Sequence, residues 1–346
     1  MDENILIYDV KAGDTLDRIG AEIGMTGDQL KDFHNANCEK LERLWFNNLN
    51  GVRQIIIPKE YKTPEQLRRE RMTELPPSSV TRDFYAQSYQ ISENFSRLAE
   101  DKLEINYTVE VAFKKREEIS IPEEVADVKC FGFKKNGTPP DDKMSAIAIA
   151  AMESIYPISF VVPFQGKISA IYEHDILKKR FDEKRPEMEE FFTGEIYKAY
   201  LDKFSESIGN DESLSRQFSS SLLYQLLFPR MEWFHKSNPW VEEFYFIQNS
   251  FPLKCAMNAN YDHQNDEFVA TVLQGNIKDA YSLQEILRGK SFGDEAEEFA
   301  DGAIELRYIT DKKTKKMLRA EASVTFRNDN ELYQTQTVKL TPNGIS

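Results

Sequence analysis

Four histidines, His34, His174, His235 and His263, are the side chains best placed to move protons near neutral pH,. None is paired with another at the i, i+4 spacing that sets two metal ligands on one helical face,. Glu173-His174-Asp175 and Asp262-His263 with Asp266 bring acid and base together in sequence, but adjacent side chains do not share a face. Both stretches are therefore read as solvated hairpin ends. Gly289-Lys290-Ser291 is similar to the end of a phosphate-binding loop, yet position 284 is Gln284 and the first glycine of such a loop is missing,. Cys38, Cys130 and Cys255 are odd in number and far apart, which suits reduced thiols,. No Gly-x-Ser-x-Gly elbow pairs a nucleophile with a base. The residues thus predict no catalytic group, no metal and no cofactor; the alternative is a hydrolase whose carboxylates are hidden among 58 acidic residues.

The elements that would position a site are clearest at the N-terminus. Residues 5–10 alternate Ile5, Leu6, Ile7, Tyr8, Asp9 and Val10 as a short strand, and Gly13 turns the chain,. Asp14 and Thr15 stand at a helix N-cap, followed by Leu16, Ile19, Ile23 and Leu30 at spacings that bury one face,. Gly24 and Gly27 separate a first helix from a second. Ile55, Ile56 and Ile57 return as a strand stopped by Pro58, giving a βααβ unit,.

The run Tyr8-Asp9-Val10-Lys11-Ala12-Gly13-Asp14-Thr15-Leu16, then Ile19, Gly24, Leu30 and Asn35, and the close from Leu49 to Pro58, resembles the LysM family. The resemblance covers only the N-terminal part of the chain. It implies a module that binds N-acetylglucosamine-containing glycans, chiefly peptidoglycan and chitin fragments, in a groove between two loops. Carried over by position, the groove residues are Gly13, Asp14, Thr15, Leu16, Asn50, Gly51 and Val52. Two departures stand out: the family's Gly-Gln pair is replaced by Gly51-Val52-Arg53-Gln54, and residues 37–49 are long for the pattern. The same Gly13-Asp14-Thr15 run also serves as a plain strand-to-helix turn and cap.

Charge and composition bound the partners. A formal charge of -14, from 44 basic and 58 acidic residues, disfavours nucleic acid and anionic membranes, both of which reward clustered Lys and Arg,. Met1-Asp2-Glu3-Asn4 leads straight into the first strand without a basic and then apolar leader, and no run approaches a spanning helix,. A cytoplasmic start is expected, and a wall-binding use then calls either for export by a route that needs no signal peptide or for a signal already removed from the sequence. Among such routes are contractile injection machines, phage-tail and type VI secretion assemblies, in which LysM-bearing accessory parts occur; docking on protein in place of sugar is the alternative use.

The chain divides on this reading into residues 1–60, a charged and Pro/Ser-rich linker over 61–82, and an α+β domain over 83–346. Residues 103–113 alternate strictly as a strand, and 159–172 read as a hairpin around Gln165-Gly166, with Pro163 demoting its first arm to an edge,. Met188, Phe191, Phe192, Ile196, Tyr200 and Phe204 form a helical stripe with Pro186 at its start. Asp211 caps a second helix that Pro229 ends,. Short strands from Trp240 to Leu340 follow. The expected fold is α+β, a small βααβ module followed by an antiparallel sheet with two or more helices on one face. At the level of fold this order is similar to lipoprotein-carrier half-barrels.

Overall fold

The computed structural model describes residues 4–97, 102–288, 299–328 and 331–344. It comprises two compact units, residues 1–74 and 75–346. The fold is α+β.

In the first unit, β1 (Ile5–Asp9) leads to α1 (Leu16–Glu22), α2 (Gly27–Asn37), β2 (Gln54–Pro58) and α3 (Pro64–Glu74). β1 and β2 pair antiparallel. Each helix start has a chemical cause. Thr15 accepts from the Arg18 amide to begin α1, and Thr26 and Gln29 form a reciprocal capping box at α2,. Leu16, Ile19, Ile23, Leu30, Leu44, Leu49, Ile55 and Ile57 close into one buried cluster, so the helices cover one side of the two-stranded ribbon.

The stretch expected as a linker carries α3. Thr63 and Gln66 exchange hydrogen bonds as a second capping box, with Pro64 at the first helical position,. The segment also packs on its own unit: Leu67 and the Lys62 carbonyl lie where a Cβ on Gly24 would stand, 2.5 Å away, and Gly24 has φ +74. Its charged residues pair with one another, as Lys62 does with Glu70 and Arg69 with Glu65.

The second unit opens with β3 (Ser88–Arg97), β4 (Leu103–Phe113), β5 (Glu124–Lys135), α4 (Lys143–Ile155), β6 (Ile158–Val162) and β7 (Ala170–Ile171). The helical stretch is α5 (His174–Phe191), α6 (Glu195–Ile208), α7 (Asp211–Ser219) and α8 (Leu222–Leu227). β8 (Trp240–Phe244), β9 (Leu253–Asp262), β10 (Phe268–Ile277), α9 (Leu283–Arg288), β11 (Ala300–Asp311), β12 (Met317–Asn328) and β13 (Glu331–Pro342) complete it. An eleven-stranded antiparallel sheet runs in the order β7-β6-β5-β4-β3-β13-β12-β11-β10-β9-β8. Its order is that of two meanders joined where β13 pairs with β3.

Alternation sets the two faces of the sheet. Along β11, Ala300, Gly302, Ile304, Leu306, Tyr308 and Thr310 are buried while Asp301, Glu305 and Arg307 are exposed. The buried side meets helices: Tyr308 donates to the Leu226 carbonyl of α8, and Phe160 of β6 makes edge contacts with Phe218 and Tyr224.

Three local details differ from expectation. Pro186 lies inside α5, which starts twelve residues earlier, because the apolar stripe continues back through Phe181 to Leu177. The break comes at Phe192 and Gly194, where φ is +125, and the next is capped by Asn210, whose side chain accepts from the Ser213 amide. Pro163 follows β6, a strand paired on both sides; the edge is β7.

Candidate recognition site

The register of the ribbon decides where the predicted site residues go. Asp9 pairs with Gln54 and the Val10 amide donates to the Arg53 carbonyl at 2.9 Å. The loops leaving β1 and entering β2 therefore emerge at the same end. Gly13, Asp14 and Thr15 belong to the first, and Asn50, Gly51 and Val52 to the second. Leu16 does not join them, since its side chain is buried in the core.

The first loop is held by its own carboxylate. Asp14 accepts from the Lys11 amide at 2.8 Å and from the Tyr8 hydroxyl at 3.0 Å, and its amide donates to the Lys11 carbonyl. The Lys11 amide, chiefly, with the Tyr8 hydroxyl and the Arg18 charge, holds the carboxyl below the usual aspartate range,. Thr15 is occupied as the helix cap. Gly13, at φ +90, has open space where a Cβ would be, so the loop backbone lies bare,.

The second loop is built alike. Gly51 has φ +78 and open space around it, the Val52 amide donates to the Leu49 carbonyl, and the Asn50 amide to Asn48 Oδ1. Val52 is half-buried against the core while Asn50 and Gly51 are exposed. Side chains at both loops thus hold the backbone in place and leave peptide groups and small residues facing water.

Residues 38–50 contain features that sequence reasoning missed. Asn35 clasps Leu44 in both directions, Nδ2 donating to its carbonyl at 2.9 Å and Oδ1 accepting from its amide at 2.7 Å. His34 accepts from the Ile56 amide through Nδ1 and donates through Nε2 to the Glu42 carbonyl, which fixes the neutral tautomer,. Trp45 and Phe46, directly after the clasp, are 81% and 74% exposed. An aromatic pair in a sequence reads as core; only its exposure marks it.

Most of the remaining chemistry-bearing residues serve the fold. Glu173 is left-handed at φ 55 with its carboxylate 3.6 Å from Lys114, and His174 begins α5 with its Nε2 buried and without a hydrogen-bond partner, so this stretch opens a helix and is not the solvated hairpin end expected. His235 Nε2 lies 2.8 Å from the Pro76 carbonyl. Burial pushes the Cys130 thiol up to about 11 and that of Cys255 to about 12, which keeps both protonated,. Gly289-Lys290-Ser291 lies outside the described residues. Among the described residues no cluster of His, Cys, Asp or Glu is arranged to hold a metal, and no helix is long and apolar enough to cross a membrane.

No family profile and no curated protein matches the chain. Among solved structures, lipovitellin, described for its lipid-protein interactions, aligns over 75% of this chain with 11% identity and a TM-score of 0.38. The chain spans 25% of that structure, a likeness too distant to bear on function.

Proposed function

We propose that this is a non-catalytic binding and assembly protein whose N-terminal unit is a LysM-like module recognising N-acetylglucosamine-containing glycan, with peptidoglycan as the natural polymer. The observation that supports it is the convergence of two loops with bare backbone at one end of the β1–β2 ribbon. Exposed peptide N–H and C=O groups suit the acetamido group and hydroxyls of such a sugar, and the loops are already ordered, which lowers the entropy lost on binding. A single small site implies weak affinity per copy, so a repeated polymer or an assembled machine would supply avidity.

The larger unit is assigned to assembly on the same reading. Recruitment into a contractile injection or secretion apparatus would bring a wall-binding module to its polymer. The hydrogen-bonded rings of His34 and His235 and the protonated thiols of Cys130 and Cys255 support the non-catalytic part.

Co-sedimentation of the full chain with purified peptidoglycan is the direct test. Retention is expected, and a chain in which residues 1–74 are deleted should stay in the supernatant. Equal recovery of both in the supernatant would end the glycan reading. Release of labelled fragments from peptidoglycan by the intact chain, abolished by one carboxylate substitution, would end the non-catalytic one.

A further inference from the structure

The exposed dyad Trp45-Phe46 is not a loose loop. Leu44 before it is buried and clasped by Asn35, and Asn47 after it donates to Asp28 at 2.6 Å while accepting from Lys31 at 2.6 Å. Leu49 is buried two residues later. Two large aromatic side chains are therefore held outward between fixed points, although water is a poor environment for both. Rigid aromatic rings already ordered for contact are the usual anchors of a binding surface.

The neighbourhood says what such an anchor takes. From Leu44 to Val52 the sequence is Leu-Trp-Phe-Asn-Asn-Leu-Asn-Gly-Val, without one charge and with three carboxamides, and the two charges bonded to Asn47, Asp28 and Lys31, are paired with each other. Flat apolar rings beside neutral donors and acceptors match a ligand that is itself amphipathic and uncharged, with C–H faces and hydroxyl or amide rims. Pyranose rings have that character; a charged peptide or an anionic headgroup does not. Phe46 and Asn50 are four residues apart, no more than about 14 Å along the chain, so one oligosaccharide can touch both.

We infer that Trp45 and Phe46 form a stacking ledge that extends the two-loop site and selects longer N-acetylglucosamine oligomers over short ones. This rests on the glycan reading above. The ledge adds apolar contact and the loops add hydrogen bonds, so a dimer fills the loops while a hexamer reaches the rings as well.

Titration of the full chain with N-acetylglucosamine dimer and hexamer tests this, read by calorimetry and tryptophan emission. Trp233 is buried and Trp240 half-buried, so the most red-shifted emission belongs to Trp45. The hexamer is expected to bind at least about tenfold more tightly than the dimer, a factor typical of one aromatic anchor, and to shift that emission to the blue. Trp45→Ala with Phe46→Ala should erase the preference and leave dimer binding unchanged, with an unaltered thermal midpoint since both side chains face water. Trp45→Phe should restore part of it. Hexamer binding that the double variant leaves intact would overturn the ledge and spare the glycan reading. No binding of either sugar by the unaltered chain would overturn both, whereas shielding of Trp45 only by a protein partner would overturn the ledge.

Discussion

Lys167 reaches Glu242 across 75 positions of sequence, its ammonium 2.9 Å from the carboxylate. The same carboxyl group accepts from Trp233 Nε1 at 2.8 Å, and the lysine lies 5.3 Å from the ring centres of both Trp233 and Phe244. The pair fastens the loop after β6 to the middle of β8. Burial lowers the lysine below its ordinary range despite its partner. Burial also opposes ionisation of Glu242, but Lys167 and Trp233 hold it below the usual glutamate value,.

Removing one partner should cost more than the pair is worth. Glu242→Ala leaves a half-buried ammonium with only the Glu243 carbonyl and an indole N–H with no acceptor, with an expected loss of about 2 kcal/mol in urea unfolding,. Glu242→Gln keeps the indole bond and should lose less. A midpoint unchanged in Glu242→Ala would show that the pair contributes nothing.

Glu93 should make stability depend on pH in the opposite sense to a salt-bridged acid. Burial raises its pKa, against hydrogen bonds from Tyr107 and Gln336 that lower it. A raised value means the folded chain keeps the proton longer than the unfolded chain. That contribution is full below the ordinary glutamate value of about 4.3 and is lost as pH climbs through the higher folded value. Glu93→Gln preserves an acceptor for Tyr107 and removes the titration. Its urea midpoint at about pH 7.5 should exceed that of the unaltered chain, with the gap closing near pH 4; parallel profiles would refute this.

Gly166 tests close packing against backbone conformation. Its φ is +91, and a Cβ there would sit 1.9 Å from the Pro229 carbonyl oxygen, beside the hydrogen bond from the Met231 amide to the Gln165 carbonyl. Gly137, at φ +85, has open space around it. Gly166→Ala should lose about 3 kcal/mol and Gly137→Ala about 1 kcal/mol, since only the first adds overpacking to the conformational cost. Equal thermal midpoints for the two variants would rule out the steric account.

Asn35→Ala should loosen residues 39–48 specifically. It deletes both bonds to Leu44, an expected loss of about 1–2 kcal/mol,. Amide exchange at Leu44 should accelerate strongly, while that at Ile55 in β2 rises only by the loss of global stability. Unchanged exchange at Leu44 would mean that other contacts hold the loop.

The legible parts of the sequence were those with one unmistakable period. Residues 103–113 alternate cleanly because β4 has one buried and one wet face, and β9 and β11 do likewise. α4 escaped notice for a physical reason: Ala146-Ile147-Ala148-Ile149 has the period of a strand, while the positions that the helix buries are Ile147, Ala151 and Ile155. β3 was hidden by Glu93, a carboxyl group at an inward position. Thr63-Pro64-Glu65-Gln66 carried a readable helix start inside a charged run. At the candidate site, the two glycine turns could be found from their residue types. The helical spacing of Leu16 with Ile19 and Ile23 already pointed it inward, against its place among the groove residues. The outward Trp45 could not be found, because apolar residues look alike in sequence and only packing says which ones the core has room for.

The seam between β3 and β13 also governs how the molecule is made. Arg97 and Gln334, bonded across it, are separated by 237 positions. A ribosome finishes β3 and β4 long before it reaches β13, so one margin of β3 waits unpaired while most of the chain is still being synthesised. The emerging polypeptide must keep that margin from foreign strands, and stalled or shortened products that lack β13 are the ones predicted to aggregate.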